Sequence, residues 1–181
     1  MKKNLQNCVV QHKEIESLLL EVFTLYPVPS DAEIAPSGFE FDLERIAIQN
    51  FLAGKTWFSI VPELQLNQYN GDSSAILPLL SDQAFVYYFP AFLLISVREL
   101  DQNLGWLRAY SFIYFILGCN SKNTVQRKFC CRRLSKFSLG QLQAIKTVLE
   151  YLSKCSLDDA TSHDVLSASQ LIANQLNSGL N

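Results

Sequence analysis

Histidine is nearly missing from this chain: His12 and His163 are the two it has, and they stand far apart. With no paired His/Cys spacing there is no visible ligand set for zinc, so no metal and no cofactor is expected. The five cysteines (Cys8, Cys119, Cys130, Cys131 and Cys155) are an odd number without CxxC spacing, which argues against a disulfide framework. Adjacent Cys130 and Cys131 are expected to stay reduced, as in a cytosolic protein. Membrane-length apolar runs are lacking as well. A spanning helix needs roughly 20 consecutive apolar residues, whereas the run from Ala84 to Val97 holds fourteen and closes at Arg98-Glu99. The second apolar block, Leu104 to Gly118, carries Arg108 inside it. The N-terminus, MKKNLQNCVVQHKE, has two lysines but no apolar segment behind them. Leu5-Gln6-Asn7-Cys8 outlines a lipoprotein cleavage site, yet Gln6 and Asn7 replace the small residues it requires. No leader and no lipid anchor is therefore expected, and the expectation is a soluble, cytoplasmic protein.

Alternation of apolar and polar residues is absent over any length, so no strand is expected. Helical spacing is plentiful instead. Ile15, Leu18, Leu19, Val22 and Phe23 form one stripe over residues 13–26, and Pro27, Pro29 and Pro36 then enforce a connector. Phe41, Leu43, Ile46, Ala47 and Phe51 predict a helix over residues 39–52, stopped at Gly54. Residues 55–67 read as an extended piece followed by a helix from about Val61. Asn67 to Ser74 reads as a loop, with Asn70-Gly71 as its turn. Because proline disrupts a helix interior, Pro90 predicts a bend between two shorter helices, 82–88 and 90–100. Ser138 followed by Gln141 is a capping-box pattern, ahead of a helix through Leu142, Ile145, Val148, Leu149 and Leu152. A thinner stripe through Val165, Leu171, Ile172 and Leu176 predicts a last helix. The sequence thus predicts an all-α domain of six to eight helices: a lead-in at 1–13, a helical core at 14–155, and a C-terminal helix with its tail at 156–181. Ala84, Phe85, Phe92, Leu93, Trp106, Phe112 and Phe115 are expected in one core. At 181 residues a single domain can bury enough surface without staples.

Few patterns carry chemistry. Gly54-Lys55-Thr56 resembles the end of a phosphate-binding loop, but Gln49 stands where the first glycine is needed, and the residues close a helix rather than open one. A helix-terminating glycine is the expected role. Cys155, His163 and Asp164 are the residue types of a nucleophilic arrangement, but they read more simply as part of a polar helix start. Glu40, Asp42 and Glu44 are spaced two apart and splay around a helix instead of converging as a carboxylate pair. No catalytic residue is assigned.

Charge is distributed unevenly. Between Glu14 and Asp101 there are thirteen acidic and three basic residues; between Gln102 and Leu149 there are eight basic residues and none acidic. The net charge of −2 makes nucleic acid a poor general partner, and partial pairing of the two segments inside the fold is expected.

The stretch LLSDQAFVYYFPAFLL and the later FSLGQLQAIKTVLEYL, with Gly54, Lys55 and Trp57 upstream, carry a likeness across residues 14–152. Together they resemble the paired signatures of a family of small bacterial proteins: an AF-x-YY-x-PA-[FY]-L block, then an F-s-x-x-Q-x-x-A-[IV] helix. This chain departs from that pattern at Phe89, in its basic linker and in its C-terminal helix. The resemblance implies a cytosolic, mostly helical bacterial domain without an established activity, and it supplies no catalytic residues.

The functional expectation is a non-catalytic protein-binding domain, most concretely an immunity or antitoxin-like inhibitor of a partner toxin. The alternative is an enzyme or nucleic-acid-associated factor whose site forms only in three dimensions. For the binding surface the sequence points first to the acidic segment, through Glu40, Asp42 and Glu44 with Tyr69, Tyr87 and Tyr88 as aromatic anchors. The other candidate is a basic patch of Arg127, Lys128, Arg132, Arg133 and Lys136, suited to an acidic partner.

Overall fold

The computed structural model describes residues 2–23, 27–36, 42–65, 68–99, 103–155 and 159–178, and among these every regular element is helical. In chain order they are α1 (Lys2–Phe23), α2 (Asp31–Ile34), α3 (Leu43–Leu52), α4 (Val61–Gln65), α5 (Ile76–Leu79), α6 (Asp82–Arg98), α7 (Asn103–Leu117), α8 (Thr124–Leu134), α9 (Leu139–Cys155) and α10 (Asp159–Ser178). Two 3₁₀ turns, Ser73–Ala75 and Gly118–Asn120, precede α5 and α8. The all-α class holds. Three of the ten helices are single turns of four or five residues, so the longer ones fall within the expected number.

The apolar block read from the sequence is α6, and every residue from Ala84 to Val97 is buried. A helix that is apolar on all sides needs neighbours on all sides. Here α7, α1, α4, α9, α2, α5 and α8 all pack against it. Its start is fixed by Ser81, whose Oγ accepts from the Ala84 amide at 3.1 Å, and Arg98 in its last turn donates to Glu16 on α1. The expected bend does not divide it: α6 runs unbroken through Pro90. Proline costs one backbone hydrogen bond and some steric room one turn back. At this position packing on every face holds the helix together across the defect. No helix among the described residues is long and apolar enough to cross a membrane.

The remaining core assembles on α6. Rings of Phe85 and Phe115 meet at 4.4 Å, and Phe89, Phe112, Phe137 and Phe23 extend the cluster. Six of the seven expected core residues are buried, and Trp106 is partly buried against the same cluster. At the head of α9 the capping box forms as read: Ser138 N donates to Gln141 Oε1 at 2.9 Å, and Gln141 N to Ser138 Oγ at 3.2 Å. The helix α10 packs on α9 and α7. Two further expectations change. The helix α1 reaches back to Lys2, through the stretch read as a lead-in. Residues 57–60 form turns rather than an extended piece, with Ile60 N bonded to Thr56 O and Val61 N to Phe58 O.

Candidate functional site

The acidic surface expected from sequence is largely committed to holding the fold together. Asp42 is the N-cap of α3, accepting from Arg45 N and pairing with Arg45 Nε at 2.8 Å. Glu16 pairs with Arg98, Glu63 with Lys55, and Asp82 with both Arg132 and Arg133. Glu44 is exposed, while Glu40 lies outside the described residues.

The three tyrosines proposed as anchors are not at the surface. Tyr69 and Tyr87 are each 6% exposed and Tyr88 is fully buried, so none can anchor a partner. Tyrosine enters a core when its hydroxyl finds a partner, and the end of α3 supplies one. Its final carbonyls lack helical donors, and Tyr88 Oη donates to Leu52 O at 3.1 Å and Lys55 O at 3.0 Å. Between those two residues Gly54 takes φ +67°, the left-handed conformation that ends a helix at little cost for glycine. The Gly54-Lys55-Thr56 sequence is therefore a helix terminus, as read.

Burial pushes the Tyr88 hydroxyl pKa well above its ordinary value of 10.0, with smaller pushes from Tyr87 and Asp31. The unfolded chain then ionises first as pH rises, so stability is full below pH 10 and declines above it. Tyr88→Phe removes this contribution and takes the side-chain donor from Lys55 O, while Leu52 O keeps the Lys55 amide at 3.1 Å. It should cost about 1–2 kcal/mol at neutral pH and shrink the gap to the parent above pH 10. Thermal melts across that range check both; parallel profiles would count against the assignment.

The basic candidates separate into two groups. Arg133 is 3% exposed. Its guanidinium donates to Leu77 O at 2.9 Å, to Pro78 O at 3.3 Å, to Leu80 O, and to Asp82 Oδ1 at 3.1 Å. It also lies over the rings of Phe129 and Phe85. Burial lowers its pKa and Asp82 opposes that shift. This arginine brackets the α5–α6 connection and is withdrawn from any surface patch, and Arg132 shares Asp82. Arg127, Lys128 and Lys136 are exposed and form no ion pair with a described residue.

Beside these cations is a groove the sequence did not announce, with a volume of about 450 Å³. One wall is α7, through Leu107, Tyr110, Ser111 and Tyr114; another is α8, through Gln126 and Phe129; Ser74 and Pro78, on the 3₁₀ turn and α5, line it too. Tyr110 and Tyr114 stack at 5.5 Å, and Tyr110 Oη shares a 2.6 Å hydrogen bond with Thr161 on α10, which fixes the pair. Leu107 is 48% exposed, Tyr114 57%, and Val125, one residue before the Gln126 wall, 76%. On a soluble surface large apolar side chains scatter singly; a contiguous set around a cleft is a recognition feature. From α7 the sequence points only to Trp106, Phe112 and Phe115, as core residues. Its one legible hint is Ser111, which shares a face with Leu107 and Tyr114 at helical spacing, opposite the buried Ala109, Phe112, Ile113 and Ile116.

Close packing continues beyond the groove floor. A Cβ on Gly118 would lie 2.5 Å from Cys130 Sγ, so any larger residue there would force the Cys130 side chain to move. The four described cysteines are free thiols, and burial raises the pKa of Cys119 and Cys130.

Other arrangements are weaker. The His163 ring is 80% exposed, and its Nδ1 is 3.8 Å from Asp164 Oδ1, too far for a base-orienting hydrogen bond. Among the described residues no group of three His, Cys, Asp or Glu side chains could hold a metal ion. A smaller pocket of about 180 Å³ between α1 and α9 is bordered by Glu14, Glu150 and Lys154. His12 hydrogen-bonds Tyr151 at its base, but Lys146 pairs with Glu150 and the remaining charges are mixed. Comparison with family models, curated proteins and solved structures found no match to this chain.

Proposed function

We propose that this chain is a non-catalytic protein-binding domain that works by occupying a partner, with an immunity or antitoxin-like inhibitor as its concrete form. The observation that carries the reading is the α7–α8 groove, with Leu107, Tyr114 and Val125 exposed around it. Contact surfaces of binding proteins concentrate aromatic anchors in clefts ringed by polar residues, and stacked Tyr110 and Tyr114 provide two rigid rings. The binding side differs from the one expected first. Because Tyr69, Tyr87 and Tyr88 are buried and Asp42, Glu16 and Glu63 are paired, the acidic segment does not offer the tyrosine anchors expected of it. The family resemblance remains compatible with this proposal, since the family carries no established chemistry.

Affinity isolation from the native host tests the reading with three baits: the parent, Leu107→Glu with Tyr114→Glu, and Glu14→Lys on α1. All substituted positions are exposed, so the fold should persist in each. A protein retained by the parent and by Glu14→Lys but lost with the groove variant is the expected result. Equal recovery on all three baits would overturn the groove as the binding surface.

A further inference from the structure

We propose that Cys131 and Cys119 are a redox pair: peroxide oxidises the Cys131 sulfur, and Cys119 then closes a disulfide that ties α8 to the 3₁₀ turn before it. This stands apart from the protein-binding reading and does not depend on what fills the groove.

Three thiols meet at one place. Cys119 lies in the middle of the Gly118–Asn120 turn, while Cys130 and Cys131 lie on α8, which packs against that turn. The Cys131 thiol donates to Cys119 O at 3.9 Å, and the Cys119 thiol is hydrogen-bonded to the Cys131 sulfur. The surrounding backbone is anchored. Asn123 caps α8, and Ser121 Oγ donates to Gln126 Oε1 at 2.8 Å, which joins the turn to the first turn of the helix.

Cys130 points elsewhere. It is buried, and its Sγ fills the space beside Gly118 that a side chain would need. Successive residues differ by about 100° around a helix, so Cys131 is exposed while Cys130 faces inward. The adjacent pair is also poorly placed to bridge to itself. Neighbouring Cα atoms stand about 3.8 Å apart across a trans peptide, below the roughly 4.4–6.8 Å that a disulfide spans.

Exposure sets the order of events. The thiolate is the form that attacks an oxidant, and apolar burial suppresses it. Cys119 and Cys130 are covered and burial raises the pKa of both, whereas Cys131 is exposed. Cys131 therefore reacts first. Its thiolate attacks one peroxide oxygen and the O–O bond breaks, giving a sulfenic acid. The hydroxide released takes up the proton that the thiol gave up, and leaves as water. Cys119 sulfur next attacks the Cys131 sulfur; the S–S bond forms and the S–O bond breaks. The second hydroxide leaves as water with the Cys119 proton. Two thiols thus lose two electrons in all, and one peroxide becomes two waters.

The test treats the reduced full chain with hydrogen peroxide at low protein concentration, alkylates the remaining thiols in denaturant, and maps tryptic peptides without reduction. The expected product joins residues 109–122, which carry Cys119, to residues 129–132, which carry Cys130 and Cys131. Cys130→Ala should retain this product, and Cys131→Ser and Cys119→Ser should each abolish it. Cys119→Ser combined with Cys130→Ala should leave a sulfenic acid at Cys131 that dimedone traps. Oxidation should raise the melting temperature of the parent by roughly 5–10 °C, because the bridge removes freedom from the unfolded chain. Dithiothreitol should reverse the rise, and Cys131→Ser should melt alike with and without peroxide.

Fragmentation between Cys130 and Cys131 assigns the bridge in the parent itself, so the outcome does not hang on any variant folding. A bridge from Cys119 to any cysteine other than Cys131 would overturn the proposal. So would a joined product that survives Cys131→Ser, covalent dimers in place of the intramolecular product, or Cys119 still alkylated in full once Cys131 has been oxidised.

Discussion

Phe85→Ala should lower stability by about 3–5 kcal/mol, the range for a fully buried aromatic truncated to a methyl group. Phe85 is fully buried in the first half of α6, and its ring meets Phe89, Phe115 and Phe137 at 4.4–5.9 Å. The ring also lies under the Arg133 guanidinium at 5.0 Å. Truncation therefore removes apolar contact in three directions and takes away one face of the buried cation's seat. Neighbouring rings are held by their own helices and cannot collapse fully into the space, so a cavity term adds to the lost transfer energy. For a chain of this size the melting temperature should fall by roughly 10 °C. Phe85→Leu restores most of the volume and should cost less than about 2 kcal/mol. Thermal and urea unfolding of the pair checks the assignment: equal losses for Ala and Leu would mean that packing at Phe85 is not what stabilises this region.

Arg133→Met should cost about 3 kcal/mol, although methionine fills much of the same space. The guanidinium satisfies the carbonyls of Leu77, Pro78 and Leu80 together with Asp82. Leaving buried acceptors without donors costs roughly 1–3 kcal/mol per site, with partial relief from water at the outer carbonyls. Arg133→Lys should recover little, because a single ammonium cannot reproduce the planar fork that reaches several oxygens at once. Asp82→Asn should cost less than Arg133→Met, since the three carbonyl contacts remain and the Asp82 side chain is 30% exposed. Urea midpoints for the three variants decide the matter. A lysine variant equal to the parent would show that charge alone, not the fork, holds the α5–α6 connection.

The two predictions mark a division in what the residues revealed. Phe85 was assigned to the core from the apolar run around it, and that inference needed only counting. Arg133 looked like one member of a surface patch, because a sequence gives the sign of a charge but not the carbonyls that surround it. Tyr87 and Tyr88 failed for a related reason. Tyrosine suits both cores and interfaces, and the Tyr88 hydroxyl finds its acceptors at the carbonyls of Leu52 and Lys55, far from it in sequence.

What the sequence determined by itself is local or periodic. The all-α class, the Ser138–Gln141 capping box, the helix-terminating Gly54 and the burial of the 84–97 block depend on neighbours within a turn or on hydrophobic repeat, and each was legible. Tertiary structure alone decided the rest. Pro90 stays inside one helix because packing on every side outweighs one missing hydrogen bond. Acidic and basic segments meet where Asp82 pairs with Arg132 and Arg133, fifty residues away along the chain. The groove exists because α7, apolar nearly all round, meets α6 on one face and is only partly covered by α8 on another. Which face of an apolar helix stays uncovered depends on how its neighbours pack, and hydrophobic periodicity does not encode that.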